Sequence, residues 1–338
     1  MLLLLTLIVT SFAADNNAIG EQQLTGKALA DYVRTHQNLF QVEESEKNDE
    51  RMKYLMPASF MTTPSDVDRI KVEAEDEEPP ERFDAREQWP YCKDIIGTVR
   101  DQSHCGSCWA VSAAATVSDR LCVQSRGKFK LHLSDADILA CCGTFCGAGC
   151  EGGWPIKAWQ FIMRYGVCTG GKYGAKGVCK PYSFHPCGNH KNQMYYGECP
   201  QGSWDTPKCR KLCQRGYTKT YNKDKFYAKS AYQLPRDEKK IRVEIMKNGP
   251  VQAGYFVYED FRLYNGGIYK HKTGKQTGGH AVKIIGWGKE NVNGTDVPYW
   301  LIANSWSNDW GENGFFRMVR GENDCNIEDM IYAGMMSV

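Results

Sequence analysis

The sequence predicts an α+β protein of two lobes, a helical first part and a strand-rich second part, and three observations carry that expectation. Cys108 is followed by Trp109-Ala110-Val111-Ser112-Ala113-Ala114-Ala115, a run of good helix formers without Gly or Pro. Beyond Gly249-Pro250 the chain turns to short runs of branched and aromatic residues, which read as strands over 251–258, 281–287, 299–303 and 315–319. Fifteen cysteines imply a disulfide framework built in an oxidising compartment, and the odd count leaves at least one thiol without a partner in the chain.

Taken in order, Met1 to Ala13 is apolar apart from Thr6, Thr10 and Ser11 and ends in Ser11-Phe12-Ala13, the small residues signal peptidase requires. It reads as a secretory signal and is too short to span a bilayer. Residues 14–78 are highly charged and contain no cysteine. Within them Leu24 to Val33 carries apolar residues at helical spacing, suited to packing on the rest of the chain. From Glu73 to Glu81 six acids occur without a base, interrupted by Pro79-Pro80, a solvated and cleavable linker with a cut expected near Glu78. Three units are expected: 1–13, 14–78 and 79–338. In the last, Ser134-Asp135-Ala136-Asp137 starts a helix with Ser134 as N-cap, and Pro155 opens another that runs to Tyr165.

Composition bounds the function without selecting it. With 42% hydrophobic residues the chain can build any one- or two-domain globule. A net charge of +2 and the lack of a long basic run argue against nucleic acid as a partner. No segment after residue 13 is apolar enough to span a membrane, so none is expected as a partner.

Three motifs carry chemistry: Gln102-Ser103-His104-Cys105-Gly106-Ser107-Cys108-Trp109, Gly278-Gly279-His280-Ala281 and Ala303-Asn304-Ser305-Trp306. A thiolate attacks a peptide carbonyl only if something holds the sulfur deprotonated and later protonates the leaving amine, and an imidazole does both. Cys108 at a helix N-terminus would feel a dipole that favours negative charge. His280 would be its partner, oriented by the side-chain amide of Asn304, and Gln102 would join the Cys108 backbone N–H in an oxyanion hole. A redox pair at Cys105-x-x-Cys108 is the competing reading, but it leaves His280 and Asn304 without a role. Zinc held by Cys141, Cys142, Cys146 and Cys150 is conceivable, yet in an oxidising compartment such cysteines pair, and no metal or cofactor is expected.

From Phe83-Asp84-Ala85-Arg86 to the C-terminus the chain resembles the cathepsin B group of papain-family cysteine proteases. Beyond the motifs above, the resemblance lies in Cys141-Cys142-Gly143, Cys150-Glu151-Gly152-Gly153-Trp154-Pro155, Lys180-Pro181-Tyr182 and the interval Cys187 to Cys199. Papain-like enzymes carry the His and Asn about 130 to 150 residues after the Cys. Here they follow by 172 and 196, the surplus lying in the Cys-rich region between Cys168 and Cys213.

The resemblance implies a papain-like two-lobed fold, with Cys108 on the helical lobe, His280 and Asn304 on a β-barrel-like lobe and the cleft between them. It implies a zymogen whose propeptide lies through the cleft, an acyl-enzyme route on peptide and protein substrates, cystatin-type inhibitors, and a lysosomal or extracellular destination. It pairs Cys92 with Cys122, Cys105 with Cys150, Cys141 with Cys209, Cys142 with Cys146, Cys179 with Cys213 and Cys187 with Cys199, leaving Cys168 and Cys325 free or joined. Residues 187–199 would be an occluding loop, which in the group closes the primed end of the cleft and binds the substrate carboxylate through two histidines. Here Asn189 stands where one histidine is expected, leaving His190 with Lys191 beside it, and the interval holds no Arg to pin it. A loop that opens easily, and hence mainly endopeptidase action, is expected.

The resemblance also assigns substrate contacts to Gly152, Gly153, Trp154, Pro155, Gly254, Gly279, Ala281, Trp306 and Met330. The group often has Glu where Met330 stands, so a preference for Leu, Val or Phe over Arg is expected in that pocket. The stretch Tyr299 to Glu312 resembles gut proteases of blood-feeding worms, which points to dietary protein such as haemoglobin. Ser103-His104 departs from the group's usual Gly-Ser, and a catalytically silent binding protein is the alternative class, though Cys108, His280, Asn304 and Gln102 are all present. Asn293-Gly294-Thr295 is the one glycosylation sequon.

Overall fold

The computed structural model describes residues 24–65 and 78–338. The signal over 1–13 and most of the acidic linker lie outside the described residues. Among those described, no helix is long and apolar enough to cross a membrane.

The helical lobe is built round Cys108–Gln124, of whose 17 residues all but Gln124 are buried. Its Ala-rich sequence explains why: small side chains let neighbours approach from every side, as Asp135–Cys141 and Pro155–Tyr165 do. Buried hydroxyls in the helix turn back on their own backbone, Ser112 Oγ donating to Cys108 O at 2.6 Å and Thr116 Oγ1 to Ser112 O at 2.8 Å. Ser134 caps its helix by accepting from the Asp137 N–H at 3.0 Å, and Pro155 occupies the first turn of the next.

The second lobe is a nine-stranded sheet. Its path runs Phe40–Val42, Tyr264–Tyr269, Phe315–Val319, Thr295–Ala303, Gln276–Val292, Val251–Tyr258, Ile331–Ala333, Tyr232–Gln233, with Phe83–Asp84 added beside Gln276–Val292. Only the contact of Phe315–Val319 with Tyr264–Tyr269 is parallel. The first strand in that path belongs to the N-terminal segment, so the sheet spans the expected propeptide boundary. Register places His280 opposite Tyr255 and Lys283 opposite Ala303, which sets Asn304 just past a strand end near His280.

The lobes are tied by buried charge. Arg120 reaches from the Cys108 helix to Glu244 at 2.8 Å and to the carbonyls of Pro250, Gly249 and Gly334. Lys283, three residues after His280, meets Asp119 at 2.6 Å. Six disulfides close the pairs named above, and Cys108, Cys168 and Cys325 remain as buried thiols, so the last two are not joined. Cys141, Cys142, Cys146 and Cys150 are all spent in disulfides, which removes the thiolates a zinc cluster would need. Cys105 is bonded to Cys150 and cannot form a redox pair with Cys108.

Candidate active site

Cys108 is the first residue of its helix, at the positive end of the backbone dipole, and is wholly buried. The Cys105–Cys150 disulfide and a hydrogen bond from Gly106 N to Cys150 O at 2.7 Å fix the preceding loop. A Cβ at Gly106 would lie 2.4 Å from that carbonyl, so only glycine fits. Tyr182 clamps the same loop, donating its OH to Gln102 O at 2.9 Å and meeting Ser107 Oγ at 2.7 Å.

His280 Nε2 lies 2.8 Å from Asn304 Oδ1, which also accepts the Ser305 N–H at 2.8 Å. An amide oxygen that receives both must face a protonated Nε2. The proton-accepting nitrogen of the neutral ring is then Nδ1, which has no hydrogen-bond partner among the described residues. Trp306 stacks on the imidazole with centroids 4.9 Å apart, and Tyr255 meets it edge-on at 5.8 Å. The Cys108 sulfur faces the backbone of Ala281, the residue after His280.

Gln102 is held at both ends of its amide. Ser305 Oγ donates to its Oε1 at 2.7 Å, which turns Nε2 toward Cys105 O at 3.0 Å and Tyr54 O at 3.2 Å. Tyr54 belongs to the N-terminal segment, which fills the cleft. Met56 makes a two-bond antiparallel bridge to Gly279 at 3.1 and 2.8 Å. Phe60 packs edge-on against Trp154 at 4.8 Å and covers Gly152, where a Cβ would sit 2.7 Å from its ring. Met61 fills the space beside Gly279, Gly254 and Met330. Gly153 is pressed against the Trp109 ring, and Pro155 and Ala281 are both buried.

This burial sets the electrostatics. It pushes the Cys108 thiol up to about 12, against the backbone groups of Ala281, Trp109, Met56 and Cys108, which favour the thiolate. It pulls His280 down to about 4, against the Asn304 bond. Burial thus favours the neutral thiol and the neutral imidazole.

The loop at 187–199 departs from expectation. His190 is half-buried, its Nδ1 3.0 Å from Asp309 Oδ1 and its Nε2 4.0 Å from Asp101 Oδ2. It is neither an exposed loop residue nor without an ion-pair partner, because the arginine missing from the loop is replaced by His190 itself. Arg51 and Lys47 of the N-terminal segment share Asp309, at 3.1 and 3.6 Å, and Lys47 also donates to Asn189 O at 2.7 Å. Burial raises the Asp309 carboxyl, but these cations outweigh it and hold the group near 2. Lys191 is exposed. Asn293 occupies an exposed turn with φ 51°, open to a glycan. Sequence reasoning missed the roles of Ser305, Tyr182 and Asp309. Ser305 was findable as the neighbour of Asn304 and Tyr182 lies in the Lys180-Pro181-Tyr182 motif, whereas Asp309 announces itself by no local pattern.

A thiol at a helix N-terminus, an imidazole held by an amide, and a second amide aimed across the same cleft define a thiol-hydrolase centre. Residues 79–335 match the model of the "Papain family cysteine protease" family, and the chain belongs to that family. It is 49% identical over 324 residues to "Cathepsin B-like cysteine proteinase 1" of Ostertagia ostertagi, covering 95% of this chain and 93% of that one. To the "Gut-specific cysteine proteinase" of Caenorhabditis elegans it is 44% identical, covering 98% and 97%. Among solved structures it is similar to "proCathepsin B S9 from Trypanosoma congolense", with TM-score 0.77 and 33% identity over 93% of this chain and 99% of that one. It is a cathepsin B-like cysteine protease of papain-like fold.

Proposed function

We propose that the chain is the latent form of a secreted protease whose nucleophile is Cys108. The observation that carries this reading is the 2.8 Å His280–Asn304 bond, which leaves Nδ1 as the free basic nitrogen of a residue whose neighbour Ala281 the helix-terminal Cys108 sulfur faces. Nδ1 takes the thiol proton and the thiolate attacks the peptide carbonyl carbon. The resulting oxyanion is held by the Cys108 N–H and Gln102 Nε2, and the imidazolium protonates the leaving amine. Water, deprotonated by His280, then attacks the thioester and releases the acid. Residues 14–78 act as the propeptide and inhibitor, with Tyr54 O occupying a donor that the oxyanion would use. The similarity to a procathepsin supports this role.

Endopeptidase action dominates in this reading, because both nitrogens of the single loop histidine face carboxylates and none is left to receive a substrate carboxylate. The pocket at Gly254 and Met330 takes apolar side chains, as it takes Met61. Digestion of dietary protein such as haemoglobin, in a lysosome or gut lumen, fits the gut-specific relative. The decisive experiment compares internally quenched peptides with blocked and free C-termini, using acid-activated protein and Cys108→Ala as control. Faster cleavage of the blocked peptide is expected. Preference for the free carboxylate would overturn the endopeptidase reading, and cleavage by Cys108→Ala would overturn the nucleophile.

A further inference from the structure

One departure that the mechanism leaves unused is His104, which stands where the group usually has Ser. Its ring lies flat against Tyr54, with centroids 4.2 Å apart and planes 16° apart. Its backbone is pinned by Trp204 N donating to His104 O at 2.8 Å, and Nδ1 sits 3.3 Å from Pro200 O, so the ring is held with one face toward the cleft. Ser103 Oγ beside it touches both sulfurs of the Cys187–Cys199 disulfide, which roots the loop at the leaving-group end. The pocket that Met61 fills lies elsewhere in the cleft, at Gly254, Gly279 and Met330. Tyr54 also offers its carbonyl to Gln102 Nε2, so a residue whose backbone reaches the oxyanion donor carries its side chain onto His104. A cavity of about 80 Å³ adjoins the stacked pair, bordered by Glu50, Arg51 and His190.

We propose that His104 is the floor of an aromatic-binding subsite on the leaving-group side of the cleft, favouring peptide substrates with Tyr, Phe or Trp there, and that Tyr54 fills it in the latent chain. The proposal rests on the protease reading above. Tyr54 is 6% exposed, so its departure with the N-terminal segment uncovers a flat aromatic face that a serine at this position would lack. Stacking rewards a ring over an aliphatic side chain of similar size, by roughly 3- to 10-fold in kcat/KM. Tyr54 OH meets Glu50 Oε1 at 3.1 Å, and both belong to the departing segment, so no buried carboxylate remains from that pair to penalise a substrate phenol.

The test uses acid-activated enzyme, standardised by active-site titration, on quenched peptides identical up to the scissile bond. The first or second residue after that bond is Tyr, Phe, Leu or Ala. We expect Tyr and Phe to exceed Leu by about 3- to 10-fold at one of the two positions, the ratio to fall to near 1 in His104→Ser, and to persist in His104→Phe. A wild-type enzyme indifferent to rings at both positions, or a ratio unmoved by His104→Ser, overturns the proposal. If His104→Ser yields no titratable enzyme, the wild-type panel together with His104→Phe decides it. Failure of every peptide with fully titrated wild-type enzyme would sink the protease reading instead.

Discussion

Truncating Met61 to Ala should prise the N-terminal segment from the cleft without touching the residues that would perform catalysis. Met61 is 4% exposed, and its side chain meets Gly279, Gly254 and Met330 so closely that Cβ atoms on the two glycines would lie 2.5 and 3.4 Å from it. Burying a methionine is worth about 1.5–3 kcal/mol, and Ala keeps only the first carbon, so the loss is about 1.5–2.5 kcal/mol. At about 1.4 kcal/mol per decade, the open population rises about 10- to 60-fold. The assay is the rate at which a small thiol-directed reagent labels Cys108 in the uncleaved chain at neutral pH, followed by intact mass. Met61→Leu should stay within about threefold of wild type, since volume and apolarity are nearly kept. An increase below about threefold for Met61→Ala would refute the claim that this pocket anchors the segment. Met61→Arg extends the test to the pocket's chemistry: it should open the chain further than Ala, and Met330→Glu in the same chain should partly reverse it.

Removing the Arg51 guanidinium should raise Cys108 labelling by roughly 10- to 100-fold, the worth of a charged hydrogen bond of about 1.5–3 kcal/mol. Because Asp309 stays ionised down to about pH 2, that effect should be as large at pH 4.5 as at pH 7, and equal effects at both would check it. Acid should open the wild-type chain through His280 instead. Its pKa is depressed to about 4 in the closed form, so protonation favours opening as pH falls below the ordinary histidine value of about 6.5, by up to tenfold per unit until about pH 4. Opening, read as propeptide release from Cys108→Ser, should show that window, and release that is flat between pH 6.5 and 4 would contradict it. Gln102→Ala in the activated enzyme should cost roughly 100- to 1000-fold in kcat/KM, measured against titrated sites.

Much of the scaffold was legible because its signals are local. The Ala run after Cys108, Ser134 as a cap, Pro155 as a first-turn residue and the branched and aromatic run over Val251–Tyr258 each dictate an element within a few residues, and each element forms there. The strand carrying His280 was legible only in its middle. It runs Gln276–Val292, beyond the expected 281–287, because Gly278 and Gly279 have poor strand propensity of their own and are extended by pairing with Val257 and Phe256. The three motif residues were legible as chemistry, since thiol, imidazole and amide have few other reasons to occur in those contexts. What the segment does to them was not. Arg51 meets Asp309 across 258 positions and His190 meets it across 119, and no periodicity encodes a meeting at that distance.

The short stretch after the strand Thr295–Ala303 explains why latency and activity oppose each other here. Asn304 orients His280, Ser305 orients Gln102, Trp306 covers the imidazole and Asp309 anchors the loop, all within six residues. The N-terminal segment engages that stretch's charge through Arg51 and its client amide through Tyr54 O, yet leaves the His280–Asn304 bond formed. Inhibition therefore need not disassemble the site. It suffices to dry it, because a thiol and an imidazole both stripped of water stay neutral, and the pair becomes ionic when solvent and a substrate replace Met56 and Tyr54. A site kept assembled but dry should give full turnover as soon as the segment leaves, with no slow refolding step. Titrated activity should therefore rise in step with propeptide loss after a jump to acid pH, and a lag between the two would show that the catalytic residues rearrange on activation.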